Sequence, residues 1–143
     1  MNELNRLLNC LIFYSNNFRV LHWNMAGKDF DADHILADDY RKMLDDYTDE
    51  IAEIVLMTDG RINNFIEVCE NIKDDDEHYF LADSSKSYDR ITFYEAIDKM
   101  FSHLIKLYED AREDVSDDIA STLDDHIYTI RKELSYKNKH RLS

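Results

Sequence analysis

Residues 34–53 read HILADDYRKMLDDYTDEIAE, and the spacings inside this stretch decide the fold. Tyr40, Met43, Leu44, Tyr47 and Ile51, continued by Ile54 and Val55, recur every three or four residues. That is the period of one face of an α-helix. The helix runs from a cap at Asp29 or Asp31 to about Asp59, with Gly60 as a natural stop. Within it His34 and Asp38 stand four residues apart, as do Asp49 and Glu53. Each pair therefore shares a face and can hold one metal ion from one side.

One chain cannot close both pairs on a single ion. Asp38 and Asp49 are eleven residues apart, roughly 16 Å along a helix that rises about 1.5 Å per residue. Eleven residues is also close to three whole turns, so both pairs lie on nearly the same strip. A two-fold axis crossing that strip near Met43 and Leu44 sets His34 and Asp38 of one copy opposite Asp49 and Glu53 of the other. Such an isologous dimer holds two equivalent sites. At about 100° per residue the apolar stripe centres on Tyr40, Tyr47 and Ile51, and the four ligand candidates fall nearly opposite. They are expected to face a neighbour or solvent, not the interior of their own bundle.

Working outward, the first helix spans about residues 2–25, with Leu4, Leu7, Leu8, Leu11, Phe18, Leu21 and Met25 as its stripe and Gly27 as its end. An antiparallel hairpin about that glycine brings His22 to the height of His34, although His22 falls on the apolar stripe of its own helix. Residues 61–90 are irregular, with a short helix around Ile62, Phe65, Ile66, Val68 and Cys69. The acidic run 74–77 reads as a solvated loop without a metal role. A third helix starts near Thr92, where Thr92 and Glu95 have capping-box spacing, and ends near Arg112. Ser116 caps a fourth, to about Tyr136, with Asp117 and Asp118 complementing its dipole. Residues 137–143 form a short basic tail. The chain has no proline and only two glycines, which leaves little room for strand–turn repeats. The reading is a single all-α domain over residues 1–143.

Composition narrows the function. A formal charge of −14, from 31 acidic and 17 basic residues, argues against gripping nucleic acid or an anionic membrane and suits attraction of cations. Cys10 and Cys69 are too few for a disulfide framework and read as reduced thiols. No signal peptide and no run of membrane length is apparent, so the expected location is the cytoplasm. Nitrogen and oxygen donors suit iron, zinc or manganese better than calcium or magnesium, and the set lacks the thiolates of a structural zinc site. Taken singly, each element has a blander reading. A histidine on an apolar face is usually packed in a core, and acidic pairs arise freely in so acidic a chain.

Together these residues resemble the Dps family, the dodecameric mini-ferritins of the ferritin-like superfamily. Leu21-His22-Trp23-Asn24-Met25-Ala26-Gly27 is similar to the family's HWN-x-x-G segment. The His34, Asp38, Asp49, Glu53 spacing resembles its ferroxidase motif, with Asp49-Glu50-Ile51-Ala52-Glu53 like its D-x-x-A-E core. The close match covers about residues 15–60. The resemblance implies a ferritin-like four-helix bundle, with a short extra helix in the long connection between helices 2 and 3. It also implies a homo-oligomeric shell, with Fe(II) bound by His22, His34 and Asp38 of one subunit and Asp49 and Glu53 of its two-fold mate. There the iron is oxidised, with hydrogen peroxide as the usual oxidant, and Fe(III) is stored inside. Trp23 would lie beside the site and carry electrons. Glu113, Asp114, Asp117 and Asp118 are the candidates for three-fold iron-entry pores.

The chain departs from the family at two points. Ile54 stands where many members have arginine, and the Lys-rich N-terminal extension through which some members bind DNA is lacking. Two other functions fit the same residues: a non-enzymatic assembly protein with vestigial ligands, and a DNA-compacting protein acting through Lys137, Lys139 and Arg141.

Overall fold

A computed structural model describes residues 2–75 and 78–143. The elements are α1 (Glu3–Trp23), α2 (Phe30–Met57), α3 (Phe65–Asp75), α4 (Arg90–Arg112) and α5 (Asp117–Lys132). A π-helical turn, Glu133–Lys137, and a final helix α6 (Asn138–Leu142) prolong α5. α1, α2, α4 and α5 make a four-helix bundle, and α3 lies in the long connection between α2 and α4, packed on α1. α1 and α2 form the most extensively packed pair. Among the described residues no helix is long and apolar enough to cross a membrane.

The core follows the apolar stripes. Leu7, Leu11, Tyr14, Phe18 and Leu21 of α1 are fully buried, with Leu44 and Ile51 of α2, Phe93, Phe101 and Leu104 of α4, and Leu123 and Ile130 of α5. At its centre Phe18, Tyr40 and Phe101 meet with ring centroids between 4.9 and 5.8 Å apart. Tilted and edge-on contacts of this kind add to what burial alone provides.

Helix ends differ from the sequence expectation in instructive ways. α1 stops at Trp23, ahead of Gly27, because the chain turns to make a parallel bridge: Ala26 N donates to the Tyr88 carbonyl and Tyr88 N to that of Asn24, both at 2.8 Å. Gly27 then takes φ +102°, a left-handed value that glycine adopts without strain. Asp29 precedes α2, but its side chain makes no capping bond. α2 stops at Met57. The left-handed position after it is filled by Asp59 (φ 61°), not by Gly60. The Gly60 amide bonds to the Val55 carbonyl at 2.9 Å, the six-to-one bond of a Schellman ending. A Cβ on Gly60 would lie 2.6 Å from Val55 Cγ1, so close approach is what requires glycine there.

α4 begins earlier than expected. Asp89 is the cap and Thr92 is the third helical residue, each bonding the other's backbone N–H at 3.0 Å. Asp89 supplies a better acceptor one turn upstream, so the box is Asp89–Thr92 and Thr92 does not start the helix. Ser116 caps α5 by position alone, without a side-chain bond. Asp74 and Asp75 are the last residues of α3, not a loop, while Asp76 and Glu77 lie outside the described residues.

Residues expected as a tail are helical and anchored. Arg141 Nη1 reaches the Tyr40 hydroxyl (3.1 Å), Glu133 Oε1 (3.2 Å) and Asn138 Oδ1 (2.7 Å), and Lys137 pairs with Glu133 at 2.8 Å. Burial works against the Glu133 charge, but bonds from Lys137 and Arg141 hold its carboxyl below the usual range.

Candidate metal centre

His22, on the last turn of α1, and His34, on the second turn of α2, are brought face to face by the hairpin. Their rings stack with centroids 3.6 Å apart and 15° between planes. His22 Nδ1 lies 2.6 Å from the carbonyl oxygen of His34, and His34 Nδ1 lies 2.7 Å from that of His22. A carbonyl only accepts, so each Nδ1 carries the proton and donates. In the neutral ring the lone pair is then on Nε2, the nitrogen a metal takes. Phe30 stacks on the other face of His34 at 4.8 Å. The placement of His22 on an apolar stripe is thereby explained. It is half-buried against another ring, and its backbone closes the lock.

Asp38 follows His34 by one turn and is half-buried. Its Oδ1 accepts from Arg41 Nε at 2.9 Å, and its Oδ2 lies 3.1 Å from Lys42 Nζ. Hydrogen bonds from Arg41 and then Lys42 hold its carboxyl below the ordinary carboxylate range. Arg41 also bonds Asp45 at 3.0 Å.

Asp49 and Glu53 stand exposed on the far half of α2, and the chain does not bring them to the histidine pair. Glu53 lines an open groove of about 460 Å³ between α2 and α5, with Tyr47, Glu50, Asp125 and His126. Among the described residues no three His, Cys, Asp or Glu side chains of one chain gather in a group able to hold a metal. Trp23, next to His22, is 68% exposed. Glu113, Asp114, Asp117 and Asp118 are exposed around the α4–α5 turn.

Three features escaped the sequence reading. Arg41, three residues after Asp38, and Phe30, four before His34, were detectable by helical spacing alone. The third was not. His126 of α5 is buried, stacks on Tyr47 with centroids 3.8 Å apart, lies 2.8 Å from the Tyr108 hydroxyl through Nδ1, and bonds Glu50 through Nε2. Burial lowers its pKa from the ordinary histidine value even though Glu50 acts in the opposite sense. It joins three helices distant in sequence, and no local spacing reveals that.

The family model for the ferritin-like domain matches residues 1–135. Solved structures share the fold. CAIP of Helicobacter cinaedi superposes with a TM-score of 0.86 at 18% identity, covering 99% of this chain and 97% of that one. Dps of Vibrio cholerae O1 gives 0.84 at 23%, covering 99% and 87%. Dps of Listeria innocua, in a crystal soaked with cobalt, gives 0.82 at 22%, covering 98% and 89%. A comparison with curated proteins finds no match. Matched by the family model along nearly its whole length and folded as Dps proteins are, this chain belongs to the ferritin-like family.

Proposed function

We propose that the protein is a Dps-like mini-ferritin, which binds Fe(II) at sites shared between two copies, oxidises it and stores the ferric product in a dodecameric shell. The observation that carries the reading is the reciprocal lock of His22 and His34, which fixes both rings with their Nε2 lone pairs available and Asp38 one turn away. A merely packed histidine pair has no need for two backbone bonds that select the same tautomer. Asp49 and Glu53 lie about 16 and 22 Å beyond Asp38 along the same helix, so a two-fold mate is required to complete the donor set. The Vibrio cholerae relative is described as a member of a broad superfamily of ferritin-like diiron-carboxylate proteins, which supports iron as the substrate.

The roles follow from donor chemistry. His22 and His34 hold Fe(II) in position through neutral nitrogen. The carboxylates of Asp38, Asp49 and Glu53 stabilise Fe(III) more than Fe(II) and so favour oxidation. With hydrogen peroxide, two Fe(II) each give one electron, the O–O bond breaks, and two protons complete two waters. Trp23, next to His22 in the chain, would relay an electron. Net charge of −14 raises the local concentration of ferrous ions. DNA is disfavoured as a partner by that same charge and by a C-terminus folded onto Tyr40.

Mixing the protein with ferrous iron and peroxide should produce rapid ferric absorbance, and Asp49→Ala with Glu53→Ala should remove it. Equal rates in wild type and double variant would refute the shared site. Iron content of the purified protein separates this reading from a ferritin-like assembly protein with vestigial ligands.

A further inference from the structure

Arg41 occupies a position that the iron reading leaves unused. It lies three residues after Asp38 and four before Asp45, so its guanidinium spans two carboxylates on one helix face: Nε to Asp38 Oδ1 at 2.9 Å and Nη1 to Asp45 Oδ2 at 3.0 Å. Lys42 Nζ takes the other Asp38 oxygen at 3.1 Å. Both oxygens of the candidate ligand therefore already carry a cationic partner. The two cations differ in kind. The Arg41 side chain is 21% exposed and packed, whereas that of Lys42 is 62% exposed and largely in solvent. Asp45 is itself held in place by Ser15 and, more distantly, by Arg19.

We propose that Arg41 is a built-in competitor for the metal at Asp38, with Asp45 as the seat it keeps when a divalent cation takes Asp38. Its effect is to set the affinity threshold of the site. A metal must take a lone pair from an oxygen that Arg41 holds, and the guanidinium keeps its charge at every working pH, so only a stronger cation displaces it. Asp45 makes the displacement inexpensive, since one of the two hydrogen bonds survives the move. Arg41 is thus a positioning residue that touches a ligand and not the reacting atoms. The inference rests on the shared-site reading above.

Apparent affinity falls by the fraction of molecules in which Asp38 is unavailable, and ion pairs of this helical spacing shift such an equilibrium by about twofold. The test is calorimetric titration of Co(II), which needs no turnover, into the intact assembled protein. Arg41→Gln is expected to bind Co(II) about twofold more tightly than wild type, Arg41→Lys to return toward wild type, and added salt to narrow the gap. Asp45→Ala removes the second seat, confines Arg41 to Asp38 and should weaken binding. Unchanged or weaker binding in a folded Arg41→Gln, or unchanged or tighter binding in a folded Asp45→Ala, overturns the proposal. Asp49→Ala with Glu53→Ala serves as the reference. If that variant binds Co(II) like wild type, the shared site itself fails and Arg41 loses its role with it. If it loses binding while the Arg41 and Asp45 variants match wild type, only the competitor is refuted.

Discussion

Gly60 and His126 show how single positions hold the frame around the candidate centre. Gly60 ends α2 with no room for a side chain, because its Cβ would press into Val55. Gly60→Ala should therefore lower stability by about 1–3 kcal/mol, read as a shift in the urea midpoint without a change in slope. At His126 the prediction concerns pH. Burial depresses its folded pKa below the ordinary value of 6.5. The unfolded chain thus takes up a proton before the native protein does. The contribution is intact above about pH 6.5 and is lost as pH falls from there through the lower folded value. Melting temperatures measured between pH 7.5 and 5 should drop more steeply for wild type than for His126→Gln. Parallel curves would show that His126 does not govern this window.

At the scale of elements, the π-helical turn and α6 act as a clasp on α2. Arg141→Ala removes a cation from Glu133 and a donor from Tyr40, and it is expected to cost about 1–3 kcal/mol, measured by thermal or chemical unfolding. Deleting residues 137–143 would unfasten the same clasp, and Lys137→Gln would break its pair with Glu133, so Lys139→Gln is the cleaner probe of a DNA role. A salt-dependent gel shift weakened by that change would revive that role. The clasp also marks a limit of sequence reading. Four long helices and a short one were legible because Leu7, Leu11, Tyr40, Leu44 and Ile51 fall at helical spacings and because Thr92 and Ser116 carry helix-start signals. A basic segment after Tyr136 carries no such stripe, and its order comes from polar partners as distant as Tyr40. The candidate centre divides in the same way. The pairs His34 with Asp38 and Asp49 with Glu53 follow from i, i+4 spacing. The lock of His22 on His34 depends on backbone carbonyls across a turn, whose placement spacing does not specify.

For the whole molecule, the features that remain exposed point to association. Leu56 and Met57 at the end of α2, Ile62 in the connection after it, and Phe65 and Ile66 at the start of α3 leave large apolar side chains in solvent. Single exposed apolar residues are ordinary, but five within eleven positions are the composition of a covered surface. Ile66→Glu should reduce the assembled mass measured by light scattering while leaving the helical circular dichroism unchanged. An unaltered mass would place the contact elsewhere. Because each copy carries −14, assembly should also strengthen as moderate salt screens repulsion between copies.

The α1–α2 hairpin has a consequence for biosynthesis. His22, His34, Asp38 and Arg41 all fall within twenty residues of chain, and the contacts among them are local. Local helical contacts form in microseconds, whereas a nascent chain lengthens by about 5–20 residues per second. The imidazole pair and its guarded carboxylate can thus be in place while α4 and α5 are still being translated. On the shared-site reading, only the complementary carboxylates must wait for a second, finished copy. Metal capture would then report on assembly, and a subunit that never finds its mate would hold half a site and release what it meets.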